Sequence, residues 1–105
     1  MPKRQAAFDP TDIFHALNAA DVRYLVVGGI AVVLYGISRT TFDVDLSVHL
    51  MKDFEAVYRR RKMATLRGVP VPLIPVNELA RMKRKAGRPQ DLQDVQDLRL
   101  AGRIP

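Results

Sequence analysis

A chain of 105 residues, 48% hydrophobic and 27% charged, can bury a single core and is too apolar to remain disordered. It has no cysteine, which excludes disulfides and thiolate metal sites and agrees with the cytoplasmic location expected here. A formal net charge of +6 points toward polyanionic partners. No apolar run approaches the ~18 residues of a membrane span, so no membrane association is expected.

In chain order, Asp9-Pro10 has the form of an N-cap followed by proline at the first helical position. Ile13, Leu17 and Ala20 then recur at helical spacing and predict a first helix of two to three turns. The run Arg23-Tyr24-Leu25-Val26-Val27 predicts a short buried strand, ended by Gly28-Gly29. A short apolar helix over Ile30 to Tyr35 follows and stops at Gly36. Thr40 to Val48 alternates polar and apolar residues through its second half, the period of a half-buried strand.

Lys52 to Lys62 places Phe54, Val57 and Tyr58 on one helical stripe. Met63–Leu66 and Val69–Ile74 predict a hairpin across Arg67-Gly68, with Pro70 and Pro72 confining the second run to an edge. Asn77 to Ala86 predicts a helix with Leu79 and Met82 inward. Gly87 stops it, and Pro89 opens a last helix with Leu92, Val95 and Leu98 inward. The expected architecture is one α/β (α+β) domain over residues 1–105, a small mixed sheet flanked by helices.

Charge is concentrated in one part of the chain. Arg59, Arg60, Arg61, Lys62, Arg67, Arg81, Lys83, Arg84, Lys85 and Arg88 span a stretch whose only acid is Glu78. Such a cluster attracts nucleic acid through phosphate neutralisation, or is a solvated helix face. Tyr24, Tyr35 and Tyr58 are not interleaved with it as a base-stacking platform requires, and are assigned to the core or its edge. His15 and His49 are too isolated to form a metal cluster.

The chemistry is carried by Gly28-Gly29-Ile30-Ala31 and Arg39-Thr40-Thr41-Phe42-Asp43-Val44-Asp45-Leu46. Paired glycines at a strand-to-helix junction let backbone approach an anion while the first N–H groups of the helix point at it. Asp43 and Asp45 lie two apart on a strand, so their carboxylates share one face. Two carboxylates so close repel unless a cation neutralises them, and Mg²⁺ is typically held by one or two carboxylates plus phosphate oxygens. The competing reading is an edge strand with both acids in water.

This stretch resembles the nucleotidyltransferase superfamily related to polymerase β, especially its minimal and abortive-infection-toxin branches. Thirteen residues separate Gly29 from Asp43, and Arg39 with Thr41 falls where that family often has Arg-x-Thr/Ser. Glu78-Leu79-Ala80-Arg81-Met82-Lys83 and Arg88-Pro89-Gln90-Asp91-Leu92-Gln93-Asp94 are similar to its closing helix pair. The resemblance implies transfer of a nucleoside monophosphate from a nucleoside triphosphate to a hydroxyl of a protein or RNA acceptor. Gly28, Gly29, Arg39, Thr41 and Lys83 would bind the nucleotide, and Asp43 and Asp45 would be catalytic and hold Mg²⁺. It also implies a toxin–antitoxin setting.

The chain departs from the pattern in two respects, the first being that it is shortened after Val48, where the family has a further helix and strand before the segment resembling Phe54–Lys62. A third metal-binding carboxylate is expected from a later strand, yet no Asp or Glu stands between Glu55 and Glu78. A degenerate nucleotide binder, a homodimer that supplies the acid and covers an edge strand, or substitution by Asp53 or Glu55 would each account for this. The alternative reading is a non-catalytic nucleic-acid- or partner-binding module on the same fold. Lys83 is also read as part of a basic helix face, and Asp91, Asp94 and Asp97 as salt-bridge partners of the 81–88 segment, with a catalytic role for Asp91 or Asp94 implied by the resemblance alone.

Overall fold

A computed structural model of the chain describes residues 10–38, 45–47 and 53–105. Its elements run α1 (Pro10–Ala19), β1 (Leu25–Val27), α2 (Gly28–Leu34), β2 (Asp45–Ser47), α3 (Phe54–Arg59), β3 (Lys62–Leu66), β4 (Val69–Leu73), α4 (Val76–Ala86) and α5 (Pro89–Leu100). The mixed α+β class is as expected. Asp9, Arg39, Thr41, Asp43 and His49 lie outside the described residues.

The strands form one mixed sheet in the order β2-β1-β4-β3. β1 pairs antiparallel with β2 and parallel with β4, and β4 pairs antiparallel with β3. The hairpin therefore forms where the sequence puts it, with Arg67 and Gly68 both at positive φ in the turn. β4, however, is an interior strand, which corrects the expectation that Pro70 and Pro72 hold it at an edge.

The reason lies in the alternation of hydrogen bonds. Pro72 and Pro70 stand opposite Met63 and Thr65. Proline has no N–H, so the pairs that exchange bonds are Lys62 with Leu73, Ala64 with Val71 and Leu66 with Val69. The prolines turn their missing donors toward the β1 side, where β1 reaches only the far end of β4, at Val26 and Leu73. There Ile74 supplies the N–H that bonds the Val26 carbonyl at 3.1 Å. Alongside the prolines, Asn18 of α1 donates its side-chain amide to the Pro70 carbonyl at 2.8 Å.

The core gathers Phe14, Tyr24, Leu25, Val26, Ala31, Val32, Val71, Leu73, Ile74, Leu79 and Leu98, each at most 1% exposed. Burial of each large apolar side chain contributes about 1.5–3 kcal/mol. Three inward assignments are corrected. Phe14, not Ala20, is the anchor of α1, while Met82 and Leu92 are 40% and 51% exposed. The inner stripe of α4 continues instead from Leu79 and Ala80 to Lys83, and that of α5 takes in Asp91 and Asp94. A polar group has taken the place of an apolar one.

Tyr24 donates its hydroxyl to Asn18 Oδ1 at 3.0 Å, and Tyr35 donates its own to the Ile74 carbonyl at 2.6 Å. Burial, and for Tyr24 then the charge on Tyr58, lifts both phenols to about 12. Folding favours their neutral forms. Their contribution is full below pH ~10 and is lost as pH rises toward 12. Phenolate absorbance during alkaline titration is expected to show two late groups, one of them missing in Tyr24→Phe. Ionisation of either in the ordinary range near pH 10 in the folded chain would contradict this.

Candidate functional site

The site forms where β1 hands over to α2. Antiparallel register sets Asp45 directly opposite Val27, the residue before Gly28. Gly28 has φ +69°, and a Cβ there would fall within the Asp45 carboxylate and 2.9 Å from its Cβ and Cγ. Glycine is thus required twice, once for the left-handed backbone and once for room. The described half of the Asp-Val-Asp motif lies against the glycine pair, Gly28 in contact and Gly29 buried behind it.

The two residues open onto a cleft of about 340 Å³ lined by Val27, Gly28, Asp45, Leu79, Met82, Lys83, Ala86, Arg88 and Asp91. One wall is β1–α2–β2, and the other is the α4–α5 pair. Gly87, at φ +68°, ends α4 by donating its N–H to the Lys83 carbonyl at 2.9 Å. Arg88 then turns the chain, and Pro89 begins α5. The Asp91 carboxylate reaches back to accept the Arg88 N–H at 3.3 Å, half of a capping box.

Lys83 is only 7% exposed, so it does not belong to a solvated basic face. Its ammonium lies 2.8 Å from Asp94 Oδ2 and 3.3 Å from Asp91 Oδ1. Gln90 donates to Asp94 Oδ1 at 2.9 Å, and Arg88 grips Asp91 at 2.6 and 3.3 Å. The aspartates thus have the structural role read from their spacing, except Asp97, which accepts from Gln93 at 2.9 Å. The hydrogen bond from Arg88, then those and the charge of Lys83, hold the Asp91 carboxyl below its usual range against the opposing effect of burial.

Arg88, first residue of the motif that opens the last helix, is given no nucleotide-binding role by the sequence but lines the cleft. Its guanidinium is well exposed, and its pKa is raised first by the Asp91 hydrogen bond and charge and further by Asp45 across the cleft. The signal was present in Arg88-Pro89-Gln90-Asp91, a helix start whose fourth residue folds back on the first. Of the expected nucleotide-binding residues, Gly28, Gly29, Lys83 and the acid Asp45 come together. Arg39, Thr41 and Asp43 fall outside the described residues. Glu55, considered as a substitute acid, ion-pairs with Arg23.

Several cations of the basic stretch are answered by acids. Arg60 and Arg81 share Glu78 at 3.5 and 2.7 Å. Among the described residues, no group of three or more His, Asp or Glu is arranged to hold a metal, and no helix is long and apolar enough to cross a membrane. No protein-family model matches the chain, and no curated protein or solved structure matches it either.

Proposed function

We propose that this chain is a nucleotidyltransferase-like protein that binds a nucleoside triphosphate with Mg²⁺, in an active or degenerate form of nucleoside monophosphate transfer to a protein or RNA hydroxyl. One observation carries the reading: an exposed carboxylate, Asp45, seated on a left-handed glycine at a strand-to-helix junction, with a guanidinium across the cleft.

The donor set fits the ion. Among the described residues Asp45 makes no ion pair, and one or two carboxylates completed by phosphate oxygens is an ordinary Mg²⁺ environment. Asp45, with Asp43 of the same motif, would hold it, and bound there it would neutralise charge on the transferring phosphate and the leaving pyrophosphate. Gly28 leaves room for the Asp45 carboxylate at the mouth of the cleft. Arg88 meets those oxygens with a planar fork of donors. Lys83 acts at one remove, fixing Asp91 and through it the direction of Arg88.

The only other described carboxylate lining the cleft, Asp91, is already committed to Arg88 and Lys83. Binding is therefore better supported than turnover. The non-catalytic nucleic-acid module has less behind it, since Lys83 is buried between Asp91 and Asp94 and Arg81 is held by Glu78 at 2.7 Å.

Isothermal titration of the chain with a nucleoside triphosphate is expected to show Mg²⁺-dependent binding that weakens at least tenfold in Asp45→Asn. Equal affinity in that variant, or binding indifferent to Mg²⁺, would remove the proposal.

A further inference from the structure

Strand β3 is one of the two outer strands of the sheet, paired only with β4 among the described residues. The proline register decides which of its backbone groups face outward. Lys62, Ala64 and Leu66 exchange bonds with β4, so the N–H and C=O groups of Met63 and Thr65 project from the open edge. Both side chains are exposed, Met63 by 51%. Such an edge is a template for one more strand.

Beside it runs a groove of about 560 Å³, floored by Leu34, Ala64, Leu73, Pro75 and Val76. Arg60, Lys62 and Arg103 also line it, and no acid among the described residues does. Arg103 is fixed by donating its Nε–H to the Tyr35 carbonyl at 2.9 Å. Among the described residues, Glu78 is the carboxylate paired with Arg60, and it is shared with Arg81.

We propose that this edge and groove receive an extended acidic peptide segment of a partner protein, added antiparallel to β3. Main-chain bonds to Met63 and Thr65 would set its register, and glutamates or aspartates on its groove side would meet Arg60, Lys62 and Arg103. The charge pattern selects this occupant over a second copy of the chain. A symmetric β3–β3 pairing through Met63 and Thr65 presents Lys62, Ala64 and Leu66 of the copy on the groove side, which brings no acid to Arg60, Lys62 and Arg103. Single-stranded nucleic acid fits less well, because it needs aromatic faces to stack on. Tyr58 is stacked on Phe54 and has the Arg61 guanidinium 4.1 Å from its ring centre, while Tyr24 is buried.

The probe is a fluorescent peptide of about eight alternating glutamate and valine residues, titrated against the full chain by anisotropy. Its comparators are the same peptide N-methylated at alternate amides, a lysine–valine peptide, and a single-stranded oligonucleotide of matched charge. Thr65→Pro deletes one outward N–H and no bond to β4, and proline is tolerated at such a position. Circular dichroism checks that this variant keeps the native fold.

Binding of the acidic peptide is expected, weakened about tenfold or more by Thr65→Pro, by Lys62→Glu/Arg103→Glu and by N-methylation, and absent for the lysine peptide. Asp45→Asn should leave it unchanged, since the edge is separate from the cleft. Equal binding of the N-methylated peptide, tighter binding of the oligonucleotide, failure of the acidic peptide to bind, or a dimer in sedimentation that Thr65→Pro dissociates would each overturn the assignment.

Discussion

Replacing Lys83 with alanine should lower the free energy of unfolding by about 3–5 kcal/mol, a large share of the ~5–15 kcal/mol typical of a domain this size. The variant takes a cation away from two carboxylates that are 2% and 0% exposed, Asp91 and Asp94. Arg88 still neutralises Asp91 from the solvent side, whereas Asp94 loses the ammonium at 2.8 Å. Urea unfolding followed by circular dichroism measures the loss. Lys83→Met/Asp91→Asn/Asp94→Asn, which removes charge from both sides, should recover much of it, because the penalty comes from burying unmatched charge rather than from losing an attraction. A loss under ~1 kcal/mol for the single variant would reduce the cluster to an ordinary surface pair.

The same cluster sets an acid limb. With its carboxyl held low by Arg88 and Lys83, Asp91 contributes stability above its unfolded pKa near 4 and loses it as pH falls through the folded value. Asp91→Asn should flatten that part of the stability profile.

Gly28→Ala should damage both stability and nucleotide binding. An L-residue at φ +69° costs on the order of 1–2 kcal/mol, and the added methyl displaces the Asp45 carboxylate from the mouth of the cleft. In the Asp45→Ala background the collision with the carboxylate is gone, leaving the 2.9 Å approach to the Cβ of residue 45 and the backbone term. The two substitutions should therefore be non-additive, with a coupling of about 0.5–3 kcal/mol in a double-mutant cycle. Simple additivity would mean that Asp45 does not rest on Gly28 in solution.

How far the sequence foretold these features depended on whether the governing interaction was local. Gly28, Gly87 and Pro89 announced their junctions because a backbone angle or a missing donor acts within a few residues. The approach of Asp45 to Gly28 followed from strand alternation next to a glycine turn. Pro70 and Pro72 misled because their cost depends on which side of the strand lacks donors, and that is fixed by β1 reaching only Leu73. Met82 and Leu92 misled because helical periodicity counts apolar residues. The inner faces of α4 and α5 are held partly by a buried ionic cluster that hydropathy reads as surface. Arg88 escaped notice as one cation among many until Asp91 gave it a direction.

The short register between β1 and β4 makes the sheet a two-leaved object, hinged at Val26, Leu73 and Ile74. Gly28 and Asp45 sit on the β1–β2 leaf, while Lys83 and Arg88 come from the α4–α5 pair, which packs against α2 beside that leaf. Any molecule that grips both walls of the cleft acts as a clasp between the β1–β2 leaf and this helix pair. Its binding free energy then resists separation of the walls, tying occupancy of the cleft to the cohesion of the chain.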